Sequence, residues 1–484
     1  MKRFNDILSG IPVLNTTGDM ERLINEIQYD SRRVKAEDLF VAIRGLKTDG
    51  HHFLDELYRL GCRAFVVEEM ANLPGASVAR VADTREQLPN LARNFYERVD
   101  RNLKFIGITG TNGKTSCAYL LYSVLERARM KPGLISTIDY VVKDKNIPAT
   151  HTTPESVDLY RLFDEMVRNN LKSVVMEVSS HALALHRTDG IPFSAAVFTN
   201  LAHDHLDFHG DMENYFQTKK KLFERLPETS QAIINIDDSY AVRNIDATDA
   251  EVFTYSMSDS RATVSLKSWH TVGYGMYLTL NIPGRTISFS SSLLGKFNIY
   301  NIMAATAAGL ALGLTDDLIV DGVEAVNNIP GRAEHFHLPG GAHIFVDYAH
   351  SPDALRRILE ALMEFHPGRI ILVFGCGGDR DTEKRPLMGK IAEDYADLIF
   401  LTNDNPRSEE PLQIIEQIKR GIYDQSKVRV IPDREEAIIT ALQNAEHNDL
   451  LLIAGKGHET YQEFAGKRIH FDDREVIRHF LQPA

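Results

Sequence analysis

Gly107-Ile108-Thr109-Gly110-Thr111-Asn112-Gly113-Lys114-Thr115 completes the strand-like run that begins at Lys104 and precedes a helical pattern from Ser116 to Arg129. A strand, a glycine-rich turn and a helix in that order can aim backbone amides and a helix N-terminus at phosphates. Lys114 would then reach the terminal phosphates and Thr115 a magnesium ion. The strict pattern G-x-x-x-x-G-K-[ST] fails, because Ile108 stands at its first glycine. Gly107 and Gly110 make a related variant of the same turn.

Outward from this turn, Ser173 to Val178, Ala195 to Thr199 and Ala232 to Ile236 read as buried parallel strands, with helical segments between them. That alternation predicts a doubly wound sheet. Upstream, Leu39 to Ile43 and Ala64 to Val67 are short strand-like runs in a small α/β block. Downstream, Thr263 to Ser291 alternates and contains Pro283-Gly284, which predicts an antiparallel hairpin region before the helical Asn298 to Leu314. Pro330-Gly331 and Pro339-Gly340-Gly341 then mark a transition. Beyond it, His343 to Asp347, Arg369 to Phe374, Leu398 to Leu401, Val428 to Ile431 and Leu450 to Ala454 alternate with helices, as in a Rossmann-like sheet. The expected fold is α/β in three domains: residues 1–100, a central P-loop ATPase-like doubly wound domain over 101–332, and a C-terminal Rossmann-like domain over 333–484.

The 484 residues, 43% hydrophobic and 25% charged, suit about three globular domains. A formal charge of -13 gives no general attraction to nucleic acid or anionic membrane, so an anionic substrate needs local cations and backbone amides. Cys62, Cys117 and Cys376 are an odd number without metal-ligand spacing, which fits a reducing compartment. No apolar segment follows the basic residues at the start, and Met303 to Leu314 is too short to span a bilayer. A cytoplasmic location is expected.

Two further strand ends carry chemistry. In Met176-Glu177-Val178-Ser179-Ser180-His181 a carboxylate stands where such a sheet forms its ligand crevice, so Glu177 is a candidate magnesium ligand. Phe198-Thr199-Asn200-Leu201 leads into His203-Asp204-His205-Leu206-Asp207-Phe208-His209, which by itself reads either as a zinc site or as a solvated loop with one structural histidine. Lys219-Lys220-Lys221 by itself reads as a solvated helix face.

Taken with His151-Thr152-Thr153-Pro154-Glu155, Asp204-His205-Leu206-Asp207, Tyr348-Ala349-His350-Ser351-Pro352-Asp353, Gly375-Cys376-Gly377-Gly378-Asp379-Arg380-Asp381, Asp404-Asn405-Pro406-Arg407 and Gly455-Lys456-Gly457-His458-Glu459, these motifs resemble the Mur ligase family over nearly the whole chain. The resemblance implies a ligase of peptidoglycan synthesis that couples ATP cleavage to amide formation. It would join meso-diaminopimelate to UDP-N-acetylmuramoyl-L-alanyl-D-glutamate through an acyl phosphate, with ATP and Mg2+.

It also implies roles residue by residue. Gly110, Thr111, Asn112, Gly113, Lys114, Thr115, Asn298, Arg332 and Asp347 would hold ATP. Thr115, Glu177, His205 and Lys219 would hold metal, Lys219 as a carbamate. Lys114, Glu177, His205 and Lys219 would be catalytic. Tyr29, Ser31, Leu46, Lys47, Thr48, Thr152, Thr153, Ser179 and Arg187 would bind the nucleotide-sugar dipeptide, and Leu185 stands where some relatives have glutamine. Arg380, Asp404, Asn405, Pro406, Arg407, Gly455 and Glu459 would bind diaminopimelate. On their residue types alone, Asn298 equally reads as a helix cap, Arg332 as an ion-pair partner and Asp347 as a strand terminus.

Overall fold

A computed structural model describes residues 1–45, 48–273, 275–365 and 368–481; at 365 only the backbone is described. Leu46 and Lys47 lie outside the described residues. The chain forms two compact units, Met1–Ser265 with Met303–Ile319, and Leu266–Ile302 with Val320–Ala484.

In the first unit the N-terminal block builds a five-stranded sheet in the order Asn15–Thr17, Ser77–Arg80, Ala64–Val67, Leu39–Val41, Ile27–Gln28. Only its first pair is antiparallel. The helix Thr84–Phe95 starts where the Asp83 carboxylate accepts the Glu86 amide, satisfying a donor that the helix leaves unpaired. This helix and Ser156–Arg168 contribute to one apolar cluster, including Leu91, Phe95, Tyr160 and Phe163.

The larger sheet of this unit runs Lys145–Pro148, Asp139–Val142, Pro132–Ile135, Ser173–Glu177, Lys104–Thr109, Phe193–Phe198, Gln231–Asn235, Glu251–Ser256. From Pro132–Ile135 onward the pairings are parallel. Continuous apolar runs such as Phe105-Ile106-Gly107-Ile108 suit strands buried on both faces. Parallel pairing also brings the carboxyl ends of Lys104–Thr109, Ser173–Glu177 and Phe193–Phe198 to one edge.

In the second unit Gly275–Ile282 and Arg285–Ser291 pair antiparallel around Pro283-Gly284, the hairpin expected from the sequence. A six-stranded sheet follows in the order Glu334–His337, His343–Asp347, Leu450–Ala454, Ile370–Phe374, Leu398–Leu401, Val428–Val430. All its pairings are parallel except the first. Separate apolar clusters cover its two faces, one including Leu355, Met388 and Ile415, the other Ile438, Leu442 and Ile477. This is the doubly wound arrangement, with Asp347, Phe374, Leu401 and Ala454 ending strands at one edge.

Candidate active site

The turn after Lys104–Thr109 has its shape fixed by close packing. Gly110 has φ +145, and a Cβ there would lie 1.9 Å from the Thr199 hydroxyl oxygen, so only glycine fits. The neighbouring strand end holds the turn. Thr111 N donates to Asn200 O at 2.8 Å, Asn112 N to Asn200 Oδ1 at 3.0 Å, and Thr199 Oγ1 to Asn112 O at 2.7 Å. Lys114 Nζ donates to the carbonyls of Gly110 and Thr111, both at 2.9 Å. Thr115 is buried in the first turn of the helix Lys114–Arg127. Thr199 and Asn200 as supports were missed from the sequence, although both stand at the end of a predicted strand beside the turn.

Glu177 is buried at the end of its strand, with Oε1 accepting Thr137 N at 2.8 Å and Oε2 accepting Thr137 Oγ1 at 3.0 Å. Each carboxylate oxygen keeps a further lone pair. Around it, Thr137 Oγ1 lies 3.1 Å from Thr152 Oγ1, and Thr153 Oγ1 donates to Glu177 O at 2.8 Å. Ser179 N donates to Thr153 Oγ1 at 3.0 Å, and Ser179 caps the next short helix. Arg187 bonds Glu155 Oε1 at 2.8 Å and Thr153 O at 2.9 Å. Thr152, Thr153, Ser179 and Arg187 therefore form one connected group with Glu177. Tyr29 stands apart from these bonds, its hydroxyl donating to Asp158 Oδ2 at 2.5 Å. Ser31 opens a turn capped by Asp30, and Thr48 O accepts Gly45 N at 2.9 Å.

Lys219 is 1% exposed, against the solvated helix face that its triple-lysine setting suggests. Its Nζ donates to Gly110 O at 2.8 Å and lies 4.6 Å from the Tyr215 ring centroid. Burial, reinforced by Lys114, holds this amine well below its ordinary pKa. His205 has φ 52 and its ring meets His181 edge-on at 5.0 Å. Burial, with His205 and His209 nearby, pushes His181 down to about 4. Among the described residues no group of three or more His, Cys, Asp or Glu is arranged to hold a metal ion. The side chains themselves suit magnesium, because Thr115 and Glu177 offer hard oxygen and a carbamate on Lys219 would add more.

In the second unit, Asn298 Nδ2 donates to Leu294 O at 2.8 Å and its Oδ1 accepts Asn301 Nδ2 at 2.9 Å, so the amide is used within its own helical region. The Arg332 guanidinium lies 4.9 Å from the Tyr348 ring centroid. Asp347 accepts Ala333 N at 2.7 Å and Ala349 N at 2.8 Å. Burial raises its carboxyl pKa, which Arg332 opposes.

Three loops at the strand ends of the six-stranded sheet form a second polar group, after Ile370–Phe374, Leu398–Leu401 and Leu450–Ala454. Gly455 has φ +114, and a Cβ there would lie 2.6 Å from Asp404 Oδ2. Gly378 N donates to Asn405 O at 2.9 Å, and Arg407 Nη1 donates to Gly378 O at 2.5 Å. Asn405 Nδ2 reaches Glu459 Oε2 at 2.9 Å. Pro406 O packs against Gly378, while Arg380 is exposed and bonds Asp379 O at 3.1 Å. Arg385 and Glu409 were missed from the sequence, and Lys456, though part of the Gly455 to Glu459 motif, was given no role there. The Arg385 side chain is 0% exposed; it grips Glu409 through two bonds of 2.7 and 2.8 Å and Gly377 O at 3.1 Å. It thus ties the loop carrying Arg380 to the loop carrying Arg407.

A phosphate-type turn beside a carboxylate and a buried lysine, together with a separate doubly wound domain bearing paired cationic and anionic loops, defines a class of ATP-using ligase. Sequence profiles agree: the Mur ligase family catalytic domain matches residues 23–99, the Mur ligase middle domain 108–309 and the Mur ligase glutamate ligase domain 331–457. The chain belongs to the Mur ligase family.

Within that family it is 45% identical over 481 residues to the UDP-N-acetylmuramoyl-L-alanyl-D-glutamate--2,6-diaminopimelate ligase of Caldanaerobacter subterraneus subsp. tengcongensis, covering 99% of each chain. It is 42% identical to the ligase of the same name from Clostridioides difficile, again over 99% of each. A solved structure of a ligase of that name superposes with a TM-score of 0.70 at 31% identity, over 99% of both chains. MurF of Thermotoga maritima, solved in complex with ADP, shares the fold at 19% identity with a TM-score of 0.65, over 95% of this chain and 98% of that one.

Proposed function

We propose that this enzyme joins meso-diaminopimelate to the D-glutamate carboxylate of UDP-N-acetylmuramoyl-L-alanyl-D-glutamate at the expense of ATP, as a cytoplasmic step of peptidoglycan precursor synthesis. Full-length identity to ligases of that name carries the reading. The Asp404-Asn405-Pro406-Arg407 loop, tied to Gly378 and Glu459, supports the choice of amino acid. Residues 1–100, 101–332 and 333–484 are the domains assigned to the nucleotide sugar, to ATP and to the amino acid.

A carboxylate resists an amine because its charge repels the nucleophile and its oxygen leaves poorly. Transfer of the γ-phosphoryl group onto it gives an acyl phosphate, which the amine attacks and from which phosphate departs. Lys114 and the amides of Gly110 and Gly113 orient and neutralise the transferring phosphoryl group. Thr115, Glu177, His205 and carbamylated Lys219 would hold magnesium, which supplies charge neutralisation when bound. Asn298, Arg332 and Asp347 are assigned to ATP. Tyr29, Ser31, Leu46, Lys47, Thr48, Thr152, Thr153, Ser179 and Arg187 are assigned to the nucleotide-sugar dipeptide. Arg380, Asp404, Asn405, Pro406, Arg407, Gly455 and Glu459 orient the diaminopimelate, whose second carboxylate matches a guanidinium.

The test is purified protein with ATP, magnesium, the UDP-muramoyl dipeptide and either diaminopimelate or lysine, read by product mass. The diaminopimelate tripeptide nucleotide with ADP and phosphate is expected. A lysine product in its place, or ATP turnover without amino-acid dependence, would reject the assignment.

A further inference from the structure

Lys456 is 0% exposed, so its charge has to be met by protein. It is met by two residues of the amino-acid loops: Nζ donates to Glu459 Oε2 at 3.1 Å and to Asn405 Oδ1 at 3.3 Å. The Tyr461 ring centroid lies 5.3 Å from the same nitrogen. Asn405 closes the triangle by donating Nδ2 to Glu459 Oε2 at 2.9 Å. Its amide cannot be turned over, because Oδ1 accepts both Lys456 and the Glu463 backbone amide, the latter at 3.0 Å.

The two oxygens of Glu459 are thereby made unequal. Oε2 accepts two donors, one of them charged. Oε1 has a single long bond, from the Tyr348 hydroxyl at 3.4 Å, and keeps acceptor capacity for another donor. A side chain whose carboxylate is held at one oxygen by a buried ammonium presents the other in a fixed direction, with little rotamer freedom left to lose on binding.

We propose that Lys456 is a positioning residue for the added amino acid: it locks Asn405 and Glu459 together so that Glu459 Oε1 meets the ammonium of the incoming diaminopimelate. The inference rests on the function proposed above. Lys456 touches no reacting atom, and its contribution lies in substrate capture.

The experiment is steady-state kinetics on wild type, Lys456→Met, Glu459→Gln and the double variant, at saturating nucleotide substrate. Methionine fills nearly the same volume without the charge. Lys456→Met is expected to raise KM for diaminopimelate about tenfold or more, while kcat and KM for ATP move by less than about threefold. In the Glu459→Gln background the same change should have little further effect, because the group that Lys456 positions is already gone. A lysine that merely supports the fold predicts an unchanged KM for diaminopimelate, or effects of the two substitutions that multiply; either overturns the inference. If Lys456→Met does not fold, Glu459→Gln carries the test by melting temperature. Loss of the anion facing a buried ammonium must lower it, and an unchanged value overturns the inference. Absence of the tripeptide nucleotide with wild type would overturn the proposed function and this inference with it, whereas normal wild-type turnover with unaltered Lys456→Met kinetics overturns the inference alone.

Discussion

Lys219 donates from Nζ to the carbonyl oxygen of Gly110 at 2.8 Å, closing a helix onto a turn 109 residues earlier in the chain. Burial favours its neutral form, and the Lys114 charge adds to that. A neutral amine can attack the carbon of CO2 and shed a proton, leaving a carbamate. Lys219→Ala should therefore cut ligation by about a hundredfold or more, and small carboxylates should restore part of it by filling the vacated space. Activity near wild type in the folded variant would remove Lys219 from the machinery.

Lys114 donates from Nζ to the backbone carbonyls of Gly110 and Thr111, both at 2.9 Å, and is half-buried. Lys114→Ala should lower ADP formation roughly a hundredfold to a thousandfold, the range for loss of one charge-stabilising donor. The melting temperature should stay near that of wild type. Substantial turnover by the folded variant would refute its role at the phosphates.

The pattern of strands was legible because the central strands pair in parallel and are buried on both faces, which writes them as continuous apolar runs such as Ile371-Leu372-Val373-Phe374. Side-chain burial was less legible. Lys219 looked solvated beside Lys220 and Lys221, yet Tyr215, Lys219 and Leu222 fall on one helix face at spacings of four and three, and all three are buried. That spacing was present in the sequence and the triple lysine masked it. Arg385 left no comparable trace, since its partner Glu409 comes from another loop and charged residues seldom lie in cores; Lys456 was visible within Gly455-Lys456-Gly457-His458-Glu459, but its burial was not, since Asn405 meets it from another loop. Leu46 and Lys47 lie outside the described residues.

His335 supplies a pH dependence of stability. Its ring stacks on Phe345 at 4.8 Å and sits 3.2 Å from His343 across the strand pair. Burial, with His343 and His337 adding, pushes it from 6.5 down to about 4. The unfolded chain then binds more protons between those values, so this contribution is present above 6.5 and is lost as pH falls towards 4. His335→Phe, which keeps a ring beside Phe345, should flatten the fall in unfolding free energy over that window. An unchanged slope in denaturant titrations would show that His335 is not its source.

Within the proposed amino-acid pocket, Arg407 is the residue expected to discriminate most between diaminopimelate and lysine. Its Nη1 donates to Gly378 O at 2.5 Å, and its backbone is held by Glu463 O at 2.9 Å with φ 54. Alanine at this position carries the same backbone cost as arginine, so Arg407→Ala isolates the side chain. Lysine lacks the second carboxylate of diaminopimelate, and beside lysine the half-buried guanidinium would keep its desolvation cost without a charge-assisted partner. Breaking a fully buried pair costs about 3–5 kcal/mol, and partial exposure reduces that. A preference of about tenfold to a hundredfold is the expected share of this contact, equal to about 1.4–2.8 kcal/mol. Arg407→Ala should lower kcat/KM for diaminopimelate by that factor, leave KM for ATP nearly unchanged, and narrow the advantage over lysine without making lysine a good substrate. The measurement is kcat/KM for both amino acids at saturating ATP and nucleotide. An unchanged ratio in a folded variant would move the selector elsewhere, with Arg380 the next guanidinium to test.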